Sequence, residues 1–192
     1  MNTQPCPASS YADEPRLIRL ENGNGMQITL MDWGATWLSC QVPLASGERR
    51  EVLLGCAQPE DYRHQQAYLG AMIGRYANRI GNASFTLDGV TYRLPANEGS
   101  KQLHGGADGF GHLTWNVEKT AGEVVFGLNS PDGDMGYPGA LAVKAAYGLK
   151  GKTLYLEMTA TTTKPTVVNL THHVYWNLLG KGDILGHLMQ IP

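Results

Sequence analysis

What this 192-residue chain has little of narrows its function first. Basic residues are few and scattered: 15 Lys and Arg stand against 17 acids, for a formal net charge of -2. Nucleic acid and anionic membranes both select a concentrated basic face, so neither is an expected partner. The adjacent pair Arg49-Arg50 falls in a turn-like stretch and is expected to be a solvated edge. Cysteine is scarce as well. Cys6, Cys40 and Cys56 are odd in number and form no CxxC pair, which suits a reducing compartment better than a disulfide framework. The start, Met1-Asn2-Thr3-Gln4-Pro5, lacks the basic-then-apolar order of a secretory signal. No apolar run approaches the roughly 20 residues that span a bilayer. A cytoplasmic protein is expected. Helical periodicity is also in short supply. Only Pro59–Gly70 reads as helical, with Pro59 suited to a first turn and Glu60 and Asp61 to the positive end of the helix dipole.

Glycine, in contrast, is abundant at 24 residues, and 10 prolines add further turns. The segments between turns are short and rich in β-branched and aromatic residues. Ser84–Leu87 and Val90–Leu94 flank Asp88-Gly89, a two-residue link that fits the positive φ angles of a type I′ hairpin. Leu141–Leu149 and Thr153–Thr159 form a second predicted hairpin through Lys150-Gly151-Lys152. Leu113–Glu118 and Val124–Leu128 form a third through Thr120-Ala121-Gly122. Met26–Met31, Thr36–Val42 and Glu51–Leu54 also read as strands. Many short hairpin-linked strands predict an all-β fold, an antiparallel sandwich or barrel. A concave sheet face carrying polar groups and some of the 4 Trp and 9 Tyr would suit a sugar, whose hydroxyls need multi-point hydrogen bonding and whose C–H faces pack on rings.

Three constellations carry chemistry. In Gly74-Arg75-Tyr76-Ala77-Asn78-Arg79-Ile80, strand alternation would put Arg75, Ala77 and Arg79 on one face and Tyr76, Asn78 and Ile80 on the other. Asn78 beside Arg79 supplies an amide and a rigid donor fork, suited to vicinal hydroxyls or a developing oxyanion. The competing reading is a structural arginine tied to a carboxylate. In Leu103-His104-Gly105-Gly106, two glycines let backbone approach a ligand beside an imidazole, or else serve only a turn. In Asn169–Leu178, alternation separates His172 from His173, so only one of them can point into a given pocket. His173 shares its face with Asn169, Thr171, Tyr175 and Asn177, polar and aromatic company. Paired histidines also raise zinc, but neither HExxH nor a cysteine pair is present, so no metal is expected. The acids of Asp132–Gly139 lack EF-hand spacing, and that stretch reads as a plain loop.

Taken together, these segments resemble the aldose 1-epimerase (galactose mutarotase) family. The matching pieces are Gly74–Ile80, the Phe85–Leu94 hairpin, Leu103–Gly106, Gly136-Tyr137-Pro138-Gly139, Asn169–Gly180 and the early Trp33-Gly34-Ala35-Thr36, in the family's order and spacing. The resemblance implies a large antiparallel β-sandwich with the sugar on a concave face, and interconversion of the α and β anomers of a free aldohexose without a cofactor. It implies that His173 is the general acid at the ring oxygen, that His104 binds the sugar and polarises it, and that Arg79 and Asn78 grip sugar oxygens. It also implies a glutamate base and a sugar-binding aspartate in the later half of a longer chain. No Glu here stands in the base's place. Glu98, the nearest acid before His104, is expected to be a solvated turn residue. The expectation is therefore a single mutarotase-like domain over residues 1–192 that lacks the family's C-terminal strands. Its base would lie beyond residue 192, and it would be open to self-association or to pairing with a missing C-terminal part. Two other readings stand beside it: a sugar-phosphate epimerase relative, and a non-catalytic carbohydrate-binding or regulatory module.

Overall fold

The computed structural model describes residues 14–120 and 122–191, so Cys6 and the Met1–Pro5 start lie outside the described residues. Alternation of apolar and polar residues builds a first sheet. Its strands β1 (Leu17–Glu21), β2 (Gln27–Met31), β3 (Thr36–Pro43) and β4 (Arg49–Glu51) pair antiparallel in that order. The register sets Ile18 opposite Leu30 and Leu20 opposite Ile28, four buried side chains on one face. Their neighbours in sequence point outward, as the period of two requires.

Five short strands follow: β5 (Met72–Ile73), β6 (Arg79–Ile80), β7 (Ser84–Leu87), β8 (Val90–Arg93) and β9 (Gln102–Leu103). The β7–β8 hairpin turns through Asp88 at φ 49 and Gly89 at φ 78, the left-handed pair that Asp-Gly supplies. A second large sheet then runs through β10 (Asn116–Thr120), β11 (Glu123–Ser130), β12 (Leu141–Lys150) and β13 (Thr153–Thr162). Its inward face sets Val124 against Tyr147, Phe126 against Ala145 and Leu128 against Val143. Last comes β14 (Thr171–His172), antiparallel to β5.

The inner faces of the two large sheets share one hydrophobic core, in which Ile18, Leu20, Ile28 and Leu30 meet Val124, Phe126, Val143, Ala145 and Tyr147. Tyr147 Oη donates to the Ala35 carbonyl at 2.9 Å, so the largest buried ring of β12 also carries a polar tie to the first sheet. The fold is the all-β antiparallel sandwich that the hairpin pattern predicts, and the short strands β5, β6, β9 and β14 hold the candidate residues against it.

Several local expectations fail for physical reasons. Pro59–Gly70 is not a helix. Only Pro59–Arg63 makes a short 3₁₀ segment, in which Tyr62 alone is buried, so no apolar stripe supports a longer one. Beyond it, Gln65 Oε1 takes the backbone N–H groups of Ala67 and Leu69, and Tyr68 and Gly70 adopt left-handed φ values of 54 and 61. Gly74–Ile80 is not one strand either. Tyr76 and Asn169 make an isolated parallel bridge, Asn78 turns at φ 63, and pairing resumes only at Arg79. The strand expected at Glu51–Leu54 is β4 ending at Glu51, after which Leu53 bridges Trp176 alone. Arg49-Arg50 is paired rather than merely solvated: Arg49 forms an ion pair with Glu21, and Arg50 Nη1 donates to the Leu178 carbonyl.

Candidate functional site

The strand that carries β14 continues past its last paired residue. His173 N–H donates to the Ala71 carbonyl at 2.9 Å, and Gly70 N–H donates to the His173 carbonyl at 2.9 Å. Alternation along this strand separates the two histidines. His172 turns inward against Trp37 and Tyr147, with ring centroids 5.8 Å and 5.7 Å away. Its Nε2 is buried with no hydrogen-bond partner among the described residues. Burial, and then the neighbouring His173, pull its pKa down from 6.5 to about 3, so it stays neutral. His173 turns the other way, toward His104.

His104 reaches the same place from β9. Its own φ is 53 and those of Gly105 and Gly106 are 85 and 101, so the chain leaves the strand through three residues of positive φ. A Cβ on Gly105 would lie 1.9 Å from the Gly74 carbonyl oxygen. The glycine beside His104 thus serves backbone packed on backbone, and through it the His104 turn is seated on the β5–β6 connection. His104 N–H donates to the Asn78 carbonyl at 3.0 Å, and Asn78 N–H donates to His104 Nδ1 at 3.0 Å. Because Nδ1 accepts, the proton of the neutral ring sits on Nε2.

His104 and His173 face one cavity of about 460 Å³, walled by residues 169–174 together with Ala77, Asn78 and His104. That volume lies within the range of small-molecule sites. The two rings stand edge to face, 5.2 Å apart at 86°. Burial, then His173, then Arg79 lower the His104 pKa from 6.5 to about 4, against a smaller opposite pull from Glu98. Two imidazoles this close resist being charged together. His104 is the member held neutral, as an N–H donor. The arrangement therefore offers one imidazole fixed as an N–H donor and a second facing it on the same cavity.

Asn78 lines this cavity; Arg79 does not. Arg79 Nε and Nη2 grip Glu98 at 2.6 Å and 2.7 Å, and Nη1 donates to Asn78 Oδ1 at 3.1 Å. One N–H on each terminal nitrogen is left over, since guanidinium carries five. Glu98 is accordingly not a free turn carboxylate: the Arg79 hydrogen bonds hold its pKa below the ordinary value. Arg79 is thus the arginine tied to a carboxylate, while Arg75, two residues before Ala77, is 2% exposed and holds the fold without one. Its side chain donates to the Ser130 hydroxyl and to the carbonyls of Ser130, Pro131, Pro138 and Gly139. The stretch Asp132–Gly139 is thus more than a plain loop, because it cradles this guanidinium. Among the described residues no group of three or more His, Cys, Asp or Glu converges on a metal site, and Cys40 and Cys56 are both unpaired.

Two site residues escape sequence reasoning. Tyr68 places its ring against His104, His112 and His173 at centroid distances of 4.7, 5.4 and 5.9 Å. His112, stacked on Tyr68, bonds the Ala107 carbonyl through Nδ1 at 2.8 Å, so that nitrogen carries a proton. Neither lies in a periodic pattern, and a tyrosine in left-handed backbone leaves no mark in composition.

Comparison with known proteins gives a consistent result. Residues 16–192 match the pattern of the family described as aldose 1-epimerase. The chain is 48% identical over 189 residues to the aldose 1-epimerase of Escherichia coli K12, covering 96% of this chain and 55% of that protein. It is 41% identical over 187 residues to the galactose mutarotase of Rattus norvegicus, covering 96% and 54%. Among solved structures it superposes on an aldose epimerase homologue from C. elegans with TM-score 0.83 and 32% identity, covering 88% of this chain and 52% of that one. It superposes on a galactose 1-epimerase from Lactobacillus acidophilus with TM-score 0.75 and 28% identity, covering 87% and 54%. The chain spans about half the length of the relatives it matches.

Proposed function

The chain belongs to the aldose 1-epimerase family, and we propose that it carries the proton-donating half of a site that interconverts the α and β anomers of a free aldohexose. The observation that carries this reading is the pair His104 and His173, 5.2 Å apart on one cavity, with His104 held neutral. Opening a pyranose needs a proton delivered to the ring oxygen while another leaves the anomeric hydroxyl. His173 delivers the first as the bond between C1 and the ring oxygen breaks. His104 donates from Nε2 to a sugar oxygen and takes up part of the charge that builds there. Asn78 on the cavity wall holds a further hydroxyl, and Arg79, bonded to Asn78 beside the cavity, offers its two spare N–H groups to a hydroxyl that extends past the wall. The open aldehyde then turns about its C1–C2 bond and recloses on the other face. The steps are proton transfers and a bond rotation, redox-neutral, so the reading needs no cofactor.

No carboxylate lines the cavity among the described residues, and Glu98 is committed to Arg79. The reading therefore assigns the base to a glutamate outside the described residues. The two unpaired cysteines fit a reducing compartment, and we place the protein in the cytoplasm on that ground. Polarimetry of freshly dissolved α-galactose tests the proposal. The chain should speed mutarotation over a boiled control. Added acetate should raise that rate beyond acetate's own effect, by standing in for the base, and His173→Gln should erase the increment. Sugar binding with no acceleration under either condition would replace this reading with a carbohydrate-binding module. A response confined to a hexose phosphate would replace it with a sugar-phosphate epimerase.

A further inference from the structure

Tyr68 occupies a costly backbone conformation. Its φ of 54 lies in the left-handed region, where a bulky aromatic is a clear outlier. Such strain persists only where the surroundings hold it. Here they do. Tyr175 Oη donates to the Ala67 carbonyl, Ala71 N–H donates to the Tyr68 carbonyl, and Gly70 and Ala71, which follow Leu69, both bond the His173 backbone. The segment is thus clamped to the strand that carries the proposed acid. The ring packs over the small buried side chains Ala71, Ile73 and Ala77. From that base it meets His104 edge-on at 74° and lies at 34° to His173, while His112 stacks on it at 23°.

We propose that Tyr68 is a positioning residue whose ring sets the mutual orientation of His104 and His173 and shields His104 from water, a role that rests on the reading of this cavity as the mutarotation site. The ring contacts both imidazoles, and no other aromatic side chain among the ring pairs described does so. With Tyr68 in place, His104 can keep its edge toward His173 and its Nδ1 on the Asn78 N–H. The burial that Tyr68 contributes also helps keep His104 neutral beside His173, Arg79 and Glu98, the charged or titratable groups that act on it. The strained backbone is what brings a ring from this tight turn over the histidine pair.

The test uses Tyr68→Asn, which tolerates left-handed backbone, and the conservative Tyr68→Phe. Histidine NMR titrations without sugar provide the first readout. In Tyr68→Asn the His104 titration should move up from about 4 by roughly one pH unit or more, as water reaches the ring, while Tyr68→Phe leaves it in place. The second readout is acetate-assisted mutarotation. Tyr68→Asn should lose on the order of tenfold or more in kcat with a smaller change in KM, and Tyr68→Phe should stay near the parent. Urea unfolding should show Tyr68→Asn no less stable than the parent by more than the lost ring packing. An unmoved His104 titration in Tyr68→Asn would overturn the proposal. So would an equal kinetic loss in Tyr68→Phe, which would make the hydroxyl the operative group. If the parent shows no mutarotation, the mutarotase reading fails, while the titrations still decide the role of Tyr68.

Discussion

Replacing Arg75 by Met probes how the sandwich holds the site. The guanidinium is 2% exposed and uses all its donors: Nε on the Ser130 hydroxyl at 2.8 Å, Nη1 on the Gly139 and Pro138 carbonyls at 2.7 and 3.3 Å, and Nη2 on the Pro131 and Ser130 carbonyls at 2.7 and 2.9 Å. Among the described residues no carboxylate pairs with it directly. Asp134 acts through the Ser130 hydroxyl, which donates to it. Burial lowers the Arg75 pKa from its ordinary value, against the opposing pull of Asp134 and Asp132. Methionine fills similar volume but satisfies none of the four carbonyls. An unsatisfied buried acceptor costs about 1–3 kcal/mol, so stranding these neutral acceptors costs on the order of 3–5 kcal/mol in total once neighbours relax. The loss extends to the site, because the Arg75 carbonyl accepts from Asn169 N–H at 2.9 Å and Asn169 heads the His173 strand. Urea denaturation followed by tryptophan fluorescence should show the midpoint fall by roughly 1.5–2.5 M, for a slope of about 2 kcal/mol/M. Arg75→Lys should fall between, since one ammonium offers three donors to five acceptor contacts. A midpoint for Arg75→Met within about 0.3 M of the parent would refute the argument that this network holds the fold.

Two further perturbations follow from the geometry. His172, neutral in the fold with a pKa near 3, binds a proton near 6.5 once unfolded, so the unfolded chain holds more protons between those values and stability falls as pH drops through that window. At pH 5 the His172 contribution is about 2 kcal/mol relative to pH 8, and His172→Phe should flatten the pH dependence of the urea midpoint by that amount; superimposable profiles would contradict it. Gly105→Ala places a methyl 1.9 Å from the Gly74 carbonyl at φ 85, so it should shift the His104 resonances and lower stability by about 2 kcal/mol or more; an unchanged amide spectrum would show that the turn can give way.

How much of this could be read in advance depends on how local the determining contacts are. The Asp88-Gly89 hairpin and the β12–β13 hairpin were legible because period-two patterning and turn chemistry sit within a few neighbouring residues. The opposite facing of His172 and His173 follows from the same alternation. The bend through Gly74–Ile80 was not legible, because the acceptors that bury Arg75 lie 55 to 64 residues away and the strands that flank the bend are two residues long. Glu98 read as solvated because its partner Arg79 is 19 residues distant. Tyr68 and His112 gave no signal at all, since their importance comes from where a clamped turn points a ring. A familiar arrangement of segments named the family and its histidines, while the contacts that hold those histidines in place required the three-dimensional structure.

The most direct test of the His104–His173 site is the imidazole ¹⁵N spectrum of the chain titrated with galactose near pH 7. Without sugar, His104 should appear as the neutral tautomer protonated at Nε2, as its Nδ1 bond to Asn78 N–H requires. On adding galactose, the His104 and His173 nitrogens should shift together along one binding curve while His64 and His187, which do not line the cavity, stay still. Shifts confined to other histidines, or a His104 protonated at Nδ1, would contradict the account.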